Sequence, residues 1–343
     1  MSAADVLAGT LVLALNAYVL SGGADFGGGV WDLLAVGPRK AAQRDLVARA
    51  IGPVWEANHV WLILAVVLLF TCFPPAFARL AVALNLPLTG VLVGIVLRGS
   101  AFAFRGYGGD RDVVQRRWGR VFAVASLVTP VLLGVAVGAV ASGAVGDAGR
   151  GTGDGFVANY VAPWLAPFPL AVGVFTLCCF AFLAAVYLTL EAPEGELRED
   201  FRRRALAAGV AVGGTAGVAL VIASPAAPLM HHGLLSSSWS LPFQVVTAAF
   251  AVSALAALWT RRYRLARAAA AAQVSLILWG WVGSQYPYVI PPDLRIVDAA
   301  SPPATLHLVL IALVLGAAVL LPSLVFLFRV FKANDRPSAI RHQ

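Results

Sequence analysis

The stretch WEANHVWLILAVVLLF at residues 55–70 sets an acid, an amide and an imidazole directly before an apolar run. A carboxylate at the edge of a hydrocarbon layer is energetically costly, so Glu56 requires an explanation. The whole chain shares this apolar character, because 60% of its 343 residues are hydrophobic and only 12% are charged. This composition is typical of a protein that crosses a membrane many times. The net charge of +8 then indicates positive loops on one side of the membrane rather than a nucleic-acid partner.

Nine apolar runs are long enough to cross about 30 Å of hydrocarbon. None of the loops between them is long enough for a soluble domain, so residues 1–343 are expected to form a single integral-membrane domain. The predicted spans lie near residues 5–35, 52–72, 76–99, 120–145, 162–190, 205–228, 241–260, 268–287 and 304–331.

The positive charges alternate with these spans. Of the 25 Lys and Arg residues, 22 fall in every second connection, and only Arg79, Arg150 and Arg295 fall in the others. The five basic segments are 36–50, 98–120, 198–204, 261–267 and 329–341. Because cytoplasmic loops carry the excess of Lys and Arg, the pattern predicts nine membrane helices in an all-α protein, with the N-terminus outside and the C-terminus in the cytoplasm.

The chain shows no spacing of metal ligands. Its cysteines, Cys72, Cys178 and Cys179, lie in or at the ends of apolar runs and are interpreted as small packing residues. Haem iron of the b type takes two facing histidines, and no confident span offers such a pair. We therefore expect no metal or haem to be ligated by this chain.

The first helix carries an acid within the glycine-rich stretch GGADFGGGVWD at 22–32. Ionisable groups inside spans are rare and often functional. Asp25 therefore has two interpretations, which remain open here. Either it lies in a close-packed seam, where it caps a local helix break or pairs with an arginine, or it is a proton-carrying carboxyl group or a buried polar joint.

The polar residues of the second helix cluster within one turn of its cytoplasmic end. Helix geometry places Trp55, Asn58 and His59 near one face, with Glu56 about 100° round the axis from Trp55. A Glu near a helix N-terminus also offsets the helix dipole, and a Trp at headgroup level is ordinary. Three polar groups within four residues favour proton handling by Glu56, with Asn58 and His59 in support.

Two further polar residues lie near the ends of spans. Arg98 either extends to the membrane surface or pairs with an intramembrane carboxylate. Gln285, beside Pro287, is expected to hydrogen-bond carbonyls that a helix break leaves free. With Trp55, these residues are predicted to be intramembrane polar support.

The residues discussed so far carry a family resemblance that runs along the whole chain. The chain resembles subunit II of the cytochrome bd-type quinol oxidases. The matching stretches are GADFGGGVWDLL at 23–34, IGPVWEANHVWLI at 51–63, FPPAFA at 73–78, VLRGSAFAFR at 96–105, YLTLEAPEGELREDFRRRA at 187–205 and QYPYVIPPDLRIVDAASPPATLHLVL at 285–310.

The resemblance implies a subunit of a plasma-membrane respiratory complex that oxidises quinol and reduces dioxygen to water. It implies haems of b and d type, or variants of them, in the partner subunit I and none in this chain. It also implies two four-helix bundles plus one peripheral helix. Within the family motif, Glu56 corresponds to the acid of the proton route, Trp61 to the tryptophan at oxygen entry, and Asp25 to the first-helix acid.

Three positions depart from the family pattern. Many relatives have Asp where Glu56 stands, Gln or Glu in place of His59, and several have an acid in place of Ala103. These departures bear on the inner proton path and are compatible with the cyanide-insensitive branch, where the haem complement of subunit I differs.

Other interpretations stay open at this point. Glycine-interrupted helices also suit a secondary transporter. Alternatively, the chain is a purely structural membrane subunit, in which Asp25, Glu56 and Arg98 hold an interface together. A small accessory subunit and a quinone or lipid bound to this chain are further candidates.

Overall fold

The structure is a computed structural model, and it describes residues 2–107, 112–148 and 155–334. These residues fold almost entirely into helices, with one small antiparallel hairpin. The helices are α1 (Ala3–Leu33), α2 (Lys40–Cys72), α3 (Pro74–Ala83), α4 (Asn85–Tyr107), α5 (Asp112–Ala141), α6 (Ala144–Ala148), α7 (Phe156–Tyr160), α8 (Pro167–Glu191), α9 (Glu196–Ala226), α10 (Pro228–Leu235), α11 (Ser240–Trp259), α12 (Tyr263–Gln285), α13 (Ile296–Ala299) and α14 (Pro303–Asn334), and the strands are β1 (Tyr288–Ile290) and β2 (Leu294–Arg295).

The prediction of a helical protein that crosses a membrane many times is confirmed. Among the described residues, seven helices are long and apolar enough to span a membrane, and the bent pair α2 and α3 allows an eighth. The apolar part of α4, Asn85–Ala101, is shorter than these spans. The count of nine therefore remains a prediction.

The second and third predicted spans are separated by a sharp bend. Helix α3 turns by 116° from α2, and the single residue Leu84 separates α3 from α4 within the predicted span 76–99. Pro74 and Pro75 cause the break, because proline has no amide hydrogen for the helix ladder. In an uninterrupted helix, the amide of residue 75 would donate to the carbonyl of Thr71.

Ser301, just before α14, donates hydrogen bonds to the carbonyl groups at this break. The Ser301 hydroxyl donates to the carbonyl oxygen of Thr71 at 2.7 Å, and the Ser301 amide donates to that of Cys72 at 2.8 Å. Carbonyls at a helix C-terminus have no partner within the helix, so these two bonds satisfy groups that would otherwise be unpaired. The segment before α14 is thereby fixed to the end of α2.

Helix α1 lies at the centre of the fold and packs against α2, α5 and α8 through glycines. A Cβ built at Gly27 would lie 2.0 Å from the carbonyl oxygen of Phe180 on α8. A Cβ built at Gly29 would lie 2.1 Å from the Ser126 hydroxyl oxygen on α5. The glycine-rich stretch of α1 thus allows two neighbouring helices to approach its backbone closely.

Several basic segments meet at one end of the bundle, here called the basic end. Arg39 binds Asp200 through two hydrogen bonds of 2.8 and 2.7 Å, which ties the start of α2 to the start of α9. Arg261, in the turn between α11 and α12, lies 3.8 Å from Glu199. Three of the five basic segments therefore share one end, as the charge alternation requires.

Candidate functional site

An ion pair between Asp25 of α1 and Arg98 of α4 forms the centre of the candidate site. Both residues are buried, with exposed fractions of 0% and 1%. Arg98 Nη1 bonds Asp25 Oδ2, while Nη2 lies 2.6 Å from Asp25 Oδ1 and 2.6 Å from the Asp25 carbonyl oxygen. The guanidinium thus binds both carboxylate oxygens, the geometry that gives Arg–carboxylate pairs their strength. A buried charge of either sign would be costly without such a partner.

Two neighbouring helices complete this pair. Asn58 of α2 donates from Nδ2 to Asp25 Oδ2 at 2.9 Å. Ser126 of α5 accepts from Arg98 Nε at 2.9 Å and donates to the carbonyl oxygen of Phe122 at 2.7 Å. Helices α1, α2, α4 and α5 therefore each contribute one side chain to a connected polar network, called here the Asp25 cluster (Asp25, Asn58, Arg98 and Ser126).

Aromatic rings enclose the cation of the cluster. The guanidinium carbon of Arg98 lies 4.8 Å from the ring centroid of Phe26 and 4.8 Å from that of Phe122. At this distance each ring face attracts the cation, and both rings shield it from lipid. The pair is therefore held in a closed environment in which its charges interact strongly.

Four buried polar atoms on the helices of the cluster have no hydrogen-bond partner among the described residues. They are Asn16 Oδ1 and Tyr18 Oη on α1, Asn58 Oδ1 on α2 and Thr129 Oγ1 on α5. Tyr18, Asn58 and Thr129 are 4%, 0% and 0% exposed. Buried polar atoms of this kind can hydrogen-bond small polar molecules. The neighbourhood of the Asp25 cluster is therefore more polar than its sequence suggests.

The structure brings together three of the residues singled out by sequence. Asp25, Asn58 and Arg98 are in direct contact. The structure therefore contains the intramembrane ion pair that was one of the interpretations left open for Asp25 and for Arg98. Ser126, Phe26 and Phe122 were not singled out. A serine or phenylalanine in an apolar span carries no signal of its own, although the spacing of Ser126 and Phe122, four apart, is that of one helix face.

The remaining candidates lie elsewhere or outside the described side chains. Helix α2 runs without a break through residues 51–57, but the side chains of Trp55 and Glu56 are outside the described part. His59 is half-buried, and Trp61 is partly buried against the main hydrophobic core. Gln285 is at the opposite end of the bundle, where its Nε2 lies 3.1 Å from the carbonyl oxygen of Trp281. It is not part of the Asp25 cluster.

No set of metal ligands emerges from this geometry. Within residues 2–107, 112–148 and 155–334, no three His, Cys, Asp or Glu side chains are placed to hold a metal ion. The cluster itself consists of a carboxylate that is already bound by a guanidinium and an amide, and of a hydroxyl that is bound to the guanidinium. Axial haem ligands are His, Met, Cys or Tyr, so this donor set does not fit a haem.

Comparison with known proteins agrees along almost the whole chain. The family model described as cytochrome bd terminal oxidase subunit II matches residues 3–331. The putative cytochrome bd menaquinol oxidase subunit II of Bacillus subtilis (strain 168) is 21% identical over 331 residues, which are 93% of this chain and 92% of that relative. The cytochrome bd ubiquinol oxidase subunit 2 of the same strain is 30% identical over 164 residues, 48% of this chain and 46% of that relative.

A solved structure has the same fold. A chain of the bd oxidase from Geobacillus thermodenitrificans superposes with a TM-score of 0.78 at 22% identity, covering 98% of this chain and all of that one. At this identity the likeness concerns the fold alone. The family match is what assigns the chain.

Proposed function

We propose a mechanism from the premise that this chain belongs to the cytochrome bd terminal oxidase subunit II family, which makes it a subunit of a respiratory quinol oxidase in a bacterial membrane. In this proposal the chain packs on a haem-bearing subunit I, delivers protons from the cytoplasm and lets oxygen enter from the lipid. The observation that carries the proposal is the Asp25 cluster. It anchors α2 through Asn58, two residues from Glu56.

Glu56 is the proposed group that takes up protons. It lies on the helix that the cluster holds in place, sixteen residues after the first residue of α2, and a carboxyl group within a span is a candidate for proton transfer. We assign support to Asn58 and His59, which follow it on the same helix. Position 56 lies about 200° round the helix axis from position 58, so proton uptake and anchoring occupy different faces of α2.

Asp25 contributes to this route through its ion pair with Arg98. The guanidinium binds both carboxylate oxygens, and Asn58 donates to one of them, so removing one member of the pair would leave the other buried without its partner. We therefore propose that this pair sets the polarity of the neighbourhood in which Glu56 works.

Trp61 is the proposed entry point for oxygen. It lies one turn beyond Asn58, and Val60 and Ile63 of the same helix are 38% and 61% exposed. Dioxygen is apolar and partitions into hydrocarbon, so an entry point on a helix with exposed aliphatic side chains is chemically suitable. The indole is partly buried against the core, which supports a fixed rather than a mobile ring.

The finer architecture is also part of the proposal. We place nine spans, with the N-terminus outside and the C-terminus in the cytoplasm. Helices α1, α2, α4 and α5 form one four-helix bundle and α8, α9, α11 and α12 a second. Helix α14 is the peripheral one, which is supported by its being the least buried of the long apolar helices.

The proposed cofactors belong to the partner. Haems of b and d type, or variants, are assigned to subunit I, and the described residues of this chain bring no three His, Cys, Asp or Glu side chains together to hold a metal ion. Relatives are named as menaquinol and ubiquinol oxidase subunits, so a quinol is the proposed electron donor and dioxygen the acceptor. A small accessory subunit and a quinone or lipid bound to this chain complete the proposed assembly.

The test compares Glu56→Gln with Glu56→Asp in the purified oxidase. The visible reduced-minus-oxidised spectrum reports assembly with the haem-bearing partner, and oxygen consumption with quinol reports turnover. We expect normal spectra for both variants, a loss of turnover and proton uptake for E56Q, and retained activity for E56D, because Asp keeps the titrating carboxyl. An assembled E56Q oxidase with unchanged turnover and proton uptake would contradict the proposed role of Glu56, and the chain would then be a purely structural subunit. A chain that purifies alone and colourless would instead favour a transporter.

A further inference from the structure

A groove at the basic end lies apart from the Asp25 cluster and has no part in the proposed proton route. It opens between the start of α9 and the turn that joins α11 to α12, and its volume is about 710 Å³. Arg198 and Arg203 line one side, and Arg261 and Tyr263 line the other. The groove is therefore built from two of the five basic segments.

The carboxylates of the groove already have arginine partners. Glu194 pairs with Arg198 at 3.3 Å, and Glu196 shares Arg39 with Asp200. Glu199 is bound by both Arg202 nitrogens Nε and Nη2, at 2.8 and 2.6 Å. Each acid thus has one arginine at close range before the remaining cations are considered.

Five arginines (Arg39, Arg198, Arg202, Arg203 and Arg261) thus face four carboxylates (Glu194, Glu196, Glu199 and Asp200), which leaves one positive charge in excess. Arg203 and Arg261 approach the same Glu199 only at 3.4 and 3.8 Å, and their side chains are 75% and 68% exposed. One carboxylate cannot neutralise three guanidinium groups, so a net positive charge remains at the mouth of the groove. The planar donor fork of arginine suits the oxygens of a phosphate group.

The surroundings of the groove favour a lipid over a dissolved anion. Trp259, at the end of α11, is 73% exposed and lies 6.0 Å from the Arg202 guanidinium. Leu265, two residues beyond Tyr263, is 51% exposed. Exposed tryptophans mark the level of lipid headgroups, and the apolar surfaces of α11 and α12 continue from there. An anion bound at this place would therefore lie next to a surface that suits acyl chains.

We propose that this groove binds the phosphodiester of an anionic phospholipid, with Arg203 and Arg261 as its ligands and the acyl chains along α11 and α12. Basic pockets between membrane helices are suited to such headgroups. The site recognises a phosphate group, which a lipid or a free phosphate ion could supply. The continuous apolar surface makes the lipid the proposed source.

The experiment titrates dioleoyl phosphatidylglycerol and dioleoyl phosphatidylcholine against the purified oxidase in detergent, with bound lipids counted by native mass spectrometry. We expect tighter binding of phosphatidylglycerol, and a loss of roughly 30-fold in its affinity for the double variant R203Q/R261Q, at about fivefold for each arginine. R203K/R261K is expected to keep most of the affinity, because it keeps both charges. Arg295→Gln is the matched control, since Arg295 is an exposed arginine at the opposite end.

The outcomes distinguish a lipid from free phosphate as the ligand, and they test whether the groove is the binding site. Inorganic phosphate that displaces the lipid at equal concentration would overturn the lipid assignment. The proposed site would be overturned if R203Q/R261Q bound phosphatidylglycerol with unchanged affinity. It would also be overturned if the wild-type complex showed no preference for phosphatidylglycerol because a partner subunit covers the groove. If the double variant does not assemble, R203Q alone tests the same point, since it leaves the Arg202–Glu199 pair intact.

Discussion

The backbone of α1 at Gly27 touches the carbonyl oxygen of Phe180 on α8 so closely that no side chain fits between them. This contact predicts that Gly27→Ala prevents close packing of the two helices. A Cβ at 2.0 Å from a backbone oxygen requires the helices to separate, and overpacking of this kind typically costs about 1–3 kcal/mol or more. We expect little assembled oxidase from G27A, measured as haem absorbance per unit of membrane protein.

Gly9→Ala is the control for this prediction, because a Cβ at Gly9 in the same helix has no heavy atom within 4 Å. G9A should assemble at the wild-type level. Equal yields of G27A and wild type would show that α1 and α8 pack differently in the complex.

A second prediction concerns the balance of the Asp25–Arg98 pair. Removing one partner leaves the other charge buried, so R98Q and D25N should each lower stability by several kcal/mol, about 3–5. The double variant D25N/R98Q leaves no unpaired charge and should recover much of that loss. Thermal inactivation of the purified oxidase measures all four members of this cycle.

The cycle also separates charge from function. If D25N/R98Q is stable but its turnover is low, the ion pair contributes to catalysis as proposed. Additive losses in the double variant would mean that the two side chains do not interact in the assembled oxidase.

A third prediction concerns Ser301, which caps the broken end of α2. Ser301→Ala removes the donor to Thr71 and leaves a carbonyl oxygen unpaired, at an expected cost of about 1–3 kcal/mol. Ser323→Ala is the comparison, because the Ser323 hydroxyl bonds only Val319 in its own exposed helix. We expect a lower midpoint of thermal inactivation for S301A and none of this loss for S323A; equal midpoints would contradict the capping role.

The helical membrane fold and one half of the site follow from sequence for clear physical reasons. Long apolar runs have few structural options in a membrane, and charges within them are rare enough to stand out, which is how Asp25 and Arg98 were found. Their pairing with each other was one of two interpretations. The sequence does not reveal that these two residues, 73 positions apart along the chain, are in contact in the folded protein.

Other features left no trace in sequence. The partnership of Ser301 with Thr71 joins residues 230 positions apart, and a serine before two prolines reads as a loop. The break between α2 and α3 does fall at the gap between two predicted spans, where Pro74 and Pro75 stand, but its angle of 116° could not be read from the sequence. Ser126 is a single hydroxyl in an apolar helix and gives no pattern at all.

The separation between Asp25 and Arg98 also sets an order of events during synthesis. The acid of α1 is made 73 residues before the arginine that neutralises it, when neither α4 nor α5 exists. A newly made first helix therefore enters the membrane with a carboxyl group that has no arginine partner. The partner arrives only with α4, so the Asp25 cluster can assemble only after that helix has been made.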